Sequence, residues 1–275
     1  MSDAAVVSRL RAAFRKALRT ARRRRYQLCL ELFAGEGHIA AAWRAMGYGA
    51  LCVEISLGGE FDLTRPCVWK LVRGWISSHC IVCVWFGTPC TSWSRARRGP
   101  PGSRWAPTRS ARFPLGLPGC SESDLGKFRE GNETAKVTAR LIRACLAARV
   151  PCGLENPQTS MLWQSPFLRR LVAHRCAQVL DVHLCQYGAR WRKATKVVLW
   201  ECVTCPDAAR RCSGRRGVCS ATGKPHVVLS GRDPSGGLWT RRAQAYPRQF
   251  ARSFAIADAS ELLCIQNLTR FTHKI

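Results

Sequence analysis

The chain has 275 residues, 47% of them hydrophobic and 9% aromatic, and a formal net charge of +27. That is enough apolar material for one large packed domain, and it argues against wholesale disorder. No uninterrupted apolar run is long enough to cross a bilayer, so no membrane partner is expected; the charge points to a polyanion, with DNA first and RNA as the alternative.

Nine of the 44 Lys/Arg residues lie within the first 25 positions, yet the remainder of the chain stays strongly basic. Sixteen cysteines occur with no secretory apolar segment at the amino end, which predicts a reducing compartment and free thiols. Clustered cysteines in that setting point to metal binding or catalysis.

Residues 2–25 predict a helix capped by Ser2 or Asp3. Its apolar stripe is Val6, Leu10, Phe14, Ala17 and Ala21, and Arg/Lys covers the remaining faces. Arg22 to Arg25 resemble a nuclear import patch, so the nucleus is the expected location, with an organelle as the alternative.

Strand and helix patterns then alternate. Strands are expected at 27–33, 50–55, 80–87, 152–156, 178–185 and 196–202, and helices at 37–47, 66–78, 132–149 and 165–174. A polar, Pro/Gly-rich loop is expected over 91–130. This alternation predicts an α/β fold, a doubly wound, mostly parallel Rossmann-like sheet with ligands at the carboxyl ends of its strands. The expected divisions are a basic helix at 1–26, the main domain at 27–200, a small Cys/His-rich segment at 201–237, and a tail at 238–275 that returns to the main domain. The chain is expected to act as a monomer.

Three stretches carry chemistry. "LELFAGEGHIA" occupies the first strand-to-helix turn, where Gly35 and Gly37 allow close backbone approach and the helix start can receive an anion. Glu54, at the end of the second strand, is placed to bind ribose hydroxyls. Asp62 is either an acceptor for an adenine amino group or the start of an Asx turn. "GTPCTSWS" puts Cys90 after a strand, and "GLENP" puts Glu155 on another, a nucleophile and an acid.

In this order the motifs resemble the cytosine-5 DNA methyltransferase family, with "CQYGARWRKATKVVLW" (185–200) similar to its late basic motif. The resemblance spans about residues 30 to 200 and marks the chain as a compact, divergent member. It implies S-adenosylmethionine as cofactor, held by Phe33, Ala34, Gly35, Gly37, Glu54, Ile55, Asp62, Thr88 and Pro89. It also implies methyl transfer to carbon 5 of cytosine, with Cys90 attacking the ring, Glu155 on ring nitrogen 3, and Arg192 and Lys193 orienting the base. Asn156 is expected to brace the loop, and basic surroundings to lower the Cys90 pKa. RNA cytosine methylation and a degenerate, binding-only protein remain the alternatives.

The chain departs from the family at His38, where a second glycine is usual, at Pro157, and at Lys193, where an arginine is usual. Fewer than forty residues separate Trp200 from Leu238, too few for a large recognition domain. Arg95, Arg97, Arg98, Arg104, Arg109 and Arg112, interleaved with Trp93, Trp105 and Phe113, are expected to contact phosphates and stack on bases. In the small segment Cys212, Cys219 and His226 are expected zinc ligands, with Cys205 or Cys202 as the fourth.

Overall fold

A computed structural model describes residues 1–23, 28–78, 80–94, 107–202 and 209–255. The first helix, α1 (Asp3–Arg23), starts at Ser2, whose side chain accepts from the backbone N–H of Ala5. Val6, Leu10, Phe14 and Ala21 are buried as the stripe requires, and Phe14 stacks on Trp75 with ring centroids 4.0 Å apart. The helix is therefore part of the main core. Gly49 allows this closeness, because a Cβ there would come within 2.6 Å of the Ala21 Cβ.

Six strands follow: β1 (Leu28–Leu32), β2 (Gly49–Val53), β3 (Ile81–Phe86), β4 (Cys152–Pro157), β5 (Ala177–His183) and β6 (Ala194–Trp200). They form one sheet in the order β2-β1-β3-β4-β6-β5. β1, β2, β3 and β4 run parallel, while β6 lies antiparallel between β4 and β5. Strands that are covered on both faces read as continuous apolar runs, as β3 does with all six residues buried.

One face of the sheet packs against α1, α3 (Pro66–Ser77) and α4 (Glu122–Ala148). The other packs against α2 (His38–Ala45) and a helical stretch over 248–255. There Phe250 and Phe254 lie against Trp85 of β3. This is the doubly wound architecture expected from the sequence. Among the described residues no helix is long and apolar enough to cross a membrane.

Two boundaries differ from expectation. α4 begins ten residues early, inside the expected loop: Ser121 caps it through Asp124 N–H, and Glu122 and Asp124 occupy its first turn. The expected helix at 165–174 contracts to α5 (Arg169–Val172), because the Ser165 side chain holds Leu168 N–H in a turn.

The two glycines that disguised the start of α4 have different reasons to be there. Gly126 faces open space, whereas a Cβ on Gly131 would lie 2.2 Å from Ser92 Oγ and 3.2 Å from Trp93 Nε1. Gly131 thus lets the segment after Cys90 press onto α4. We expect Gly131→Ala to destabilise by about 1–3 kcal/mol through overpacking, despite alanine's better helix propensity. Gly126→Ala should stabilise by about 0.5–1 kcal/mol. Urea unfolding of the two variants checks the contrast, and equal signs would contradict it.

Candidate active site

A cavity of about 450 Å3 opens at the carboxyl ends of β1, β2, β3 and β4. Phe33, Ala34 and Gly35 line it from the β1–α2 turn, Glu54 from the end of β2, and Thr88, Pro89 and Cys90 from the end of β3. Glu155 of β4 and Lys193, just before β6, complete its inner wall.

The turn after β1 is left-handed at Phe33, Gly35 and Gly37 (φ 54, 52 and 69°), which the glycines accept readily and Phe33 adopts under constraint. A Cβ on Gly35 would meet nothing within 4 Å, so the space above this backbone is open toward a ligand. Gly37 caps α2 and does not line the cavity.

The amino end of α2 is already satisfied from within. The buried Glu31 carboxylate, on β1, accepts from Ala40 N–H at 2.6 Å and Ile39 N–H at 3.4 Å. Burial raises its pKa to about 7, against those two hydrogen bonds. The sequence suggested an external anion at this helix end; an acid inside a hydrophobic strand takes that place.

Glu54 accepts from Gly35 N–H (2.9 Å) and Ser56 N–H (3.3 Å), one bond to each oxygen, and so keeps acceptor capacity toward the cavity. Open space over Gly35 and a free-handed acid beside it fit an adenosyl ligand. Besides Gly37, two further expected cofactor contacts are not in the cavity wall. Ile55 is 60% exposed beside it, and Asp62 makes the Asx turn instead, accepting from Thr64 N–H and Oγ1 at 2.9 and 2.7 Å.

Glu155 is 6% exposed. Its Oε2 accepts from Tyr246 Oη at 3.1 Å, and Lys193 Nζ stands 3.5 Å from Oε1 as an ion pair. Burial first, and then the Glu155 charge, push the Tyr246 phenol well above its ordinary pKa, so it remains a donor. Lys193 Nζ also donates to Ala243 O at 3.3 Å. His38 Nδ1 contacts Tyr246 O, which gives the departure from glycine a role in anchoring the returning segment. Arg241, Gln244 and Tyr246 line the cavity. None was anticipated, because a single tyrosine far along the chain carries no local motif.

Asn156 braces the loop as expected, its Nδ2 donating to Thr88 O at 2.8 Å. Thr88 Oγ1 is tied to Thr138 of α4 at 2.8 Å. Cys90 sits at the cavity wall, and burial raises its pKa, with Lys193 pulling it down and Glu155 pushing it up. Desolvation outweighs the basic surroundings, contrary to expectation.

Arg192 turns away from the cavity. Its Nε donates to His183 Nδ1 (3.3 Å) and its Nη2 to Cys212 O (3.1 Å). Neighbours on an extended chain point to opposite sides, so only one of Arg192 and Lys193 could face inward. Arg109 and Trp93 are also absorbed into the structure. Trp93 is fully buried, and the Arg109 guanidinium lies 3.5 Å from its ring centroid while donating to Ser92 O, Pro114 O and Asn132 Oδ1. Burial lowers the Arg109 pKa to about 10. Arg95, Arg97, Arg98, Arg104 and Trp105 lie outside the described residues.

In the small segment Cys212, Cys219 and His226 come together as expected, and the fourth member of the group is Cys185. Cys205 lies outside the described residues. Cys202 is buried in the main core, with its sulfur against Trp200 O and Cys152 O.

No protein-family profile and no curated protein matches the sequence. Among solved structures, a crystal structure of a Spodoptera frugiperda DNMT2 triple mutant is similar at 12% identity and a TM-score of 0.33. The similarity covers 75% of this chain and 60% of that one, so the chain spans about three-fifths of that protein's length.

The buried Glu31 generates a pH prediction. Folded, it holds its proton up to about pH 7, whereas the unfolded chain releases it near 4.5. Stability should therefore fall by up to about 3 kcal/mol as pH rises from 4.5 to 7 on this account. Glu31→Gln should flatten that window in thermal melts, and an unchanged slope would contradict the assignment.

Proposed function

We propose that the cleft methylates carbon 5 of cytosine in DNA, with S-adenosylmethionine as the donor. What supports the reading is one convergence: a thiol after β3, an acid on β4 and a lysine before β6 share a cavity with a glycine turn and a strand-end acid.

Phe33, Ala34, Gly35 and Glu54 would hold the cofactor, which when bound supplies an electrophilic methyl group. The target base must leave the duplex to reach the cavity. Burial favours the resting Cys90 thiol, so its proton passes to the Glu155 carboxylate as Sγ attacks carbon 6. Glu155 holds ring nitrogen 3 and hands that proton on to it, while the nearby Lys193 ammonium compensates charge. Electron density gathers at carbon 5. Carbon 5 takes the methyl group, its own proton then passes to solvent water as the carbon 6–sulfur bond breaks, and ring nitrogen 3 returns its proton through Glu155 to the Cys90 sulfur. Tyr246 positions Glu155 throughout.

Trapping tests the reading. DNA carrying 5-fluorocytosine, whose fluorine cannot leave as a proton, should form a denaturation-resistant adduct in the presence of S-adenosylmethionine. Cys90→Ser should abolish it. An adduct on 5-fluorocytosine RNA alone would move the reading to RNA. No adduct on either polymer would leave a binding protein.

A further inference from the structure

We propose that Cys185, Cys212, Cys219 and His226 form a closed structural zinc site that staples the small segment to the strand pair carrying Lys193. The four ligand atoms lie within 4.8 Å of one another, and Cys212 Sγ is 3.8 Å from His226 Nε2. A tetrahedron built with Zn–S of about 2.3 Å and Zn–N of about 2.0–2.1 Å has edges of about 3.5–3.8 Å, so the group is close to coordinating size.

Three cysteines, each under 5% exposed, form a buried cluster of their own, and no disulfide joins any of the described cysteines. Donors surround the sulfurs. Ser220 N–H lies 3.4 Å from Cys212 Sγ, and Gln186 Nε2 lies 3.6 and 3.7 Å from Cys185 and Cys219 Sγ. Such donors suit thiolates held by a metal.

The ligand loop is pinned by backbone bonds, Cys219 N–H to Lys224 O and His226 N–H to Gly217 O, both 2.8 Å. Yet the described part of the segment, 209–237, has no helix or strand and only isolated bridges. A segment with so little core needs a cross-link. Four protein ligands leave no open position, so the role is structural.

Cys185 is what makes the site a staple. It lies in the turn Leu184–Tyr187 between β5 and β6, while the other three ligands come from the small segment. Cys212 also donates its N–H to His183 Nδ1 (2.9 Å) and receives Arg192 at its carbonyl. Val227 N–H reaches Arg190 O at 2.9 Å. The loop ending in Lys193 is thus gripped from the metal side.

Metal analysis of protein purified under reducing conditions should find one zinc per chain. Cys185→Ser should bring it below about one tenth, whereas Cys205→Ser should leave it at one. Cobalt substitution of the wild-type chain should give the intense visible bands of tetrahedral thiolate ligation. His226→Cys should keep the stoichiometry and shift those bands, a readout that survives if Cys185→Ser fails to fold. A metal-free wild-type protein, full zinc in Cys185→Ser, zinc lost with Cys205→Ser, or octahedral cobalt would each overturn the assignment.

Discussion

The buried Glu155 carboxylate sits between the Tyr246 hydroxyl and the Lys193 ammonium, and much of the molecule is arranged to bring those three together. A carboxylate this deep is costly without partners. Neither partner is local. Lys193 arrives from the turn before β6, and Tyr246 from beyond the small segment. The antiparallel pairing of β6 with β4 sets Val197 opposite Glu155, which brings the start of β6 to the open end of the sheet. Packing of Phe250 and Phe254 on Trp85 delivers Tyr246.

The two faces of β4 divide the labour. Glu155 turns toward the side covered by the returning segment, while Asn156 reaches Thr88, which is itself bonded to α4. Alternation along a single strand thus fixes the acid on one face and the loop bearing Cys90 on the other. From there the chain presses against α4 at Gly131, with Trp93 and Arg109 filling the interface. Rigid elements therefore hold both Cys90 and Glu155, as tight positioning of a site requires.

The order of strands and helices was legible because apolar runs and capping residues are local signals. Both strand-end acids and the Pro-Cys turn were legible for the same reason. What escaped were features decided by tertiary contact. Gly126 and Gly131 read as loop because propensity is local, and the reason for Gly131 is a neighbour from another segment. Glu31 reads as a strand residue until α2 is seen to place two N–H groups over it. Arg109 reads as a phosphate contact until Trp93 is found beneath it. Cys185 is far from the other three clustered ligands in sequence, and spacing alone favoured Cys205 or Cys202.

The small segment shows how a short insertion can still serve a cleft. It has too little apolar surface to fold on its own strength, but it grips His183, Arg190 and Arg192 through specific backbone bonds. Arg192 is spent on that grip, which leaves Lys193 alone to face Glu155. A lysine suits the position, because a single compact ammonium can meet both the carboxylate and the Ala243 carbonyl. Meanwhile Arg215, Arg216, Lys224 and Arg232 stay exposed. The segment itself is held by its backbone bonds, its buried sulfurs and His226, together with the Arg211–Asp181 and Asp233–Arg242 pairs.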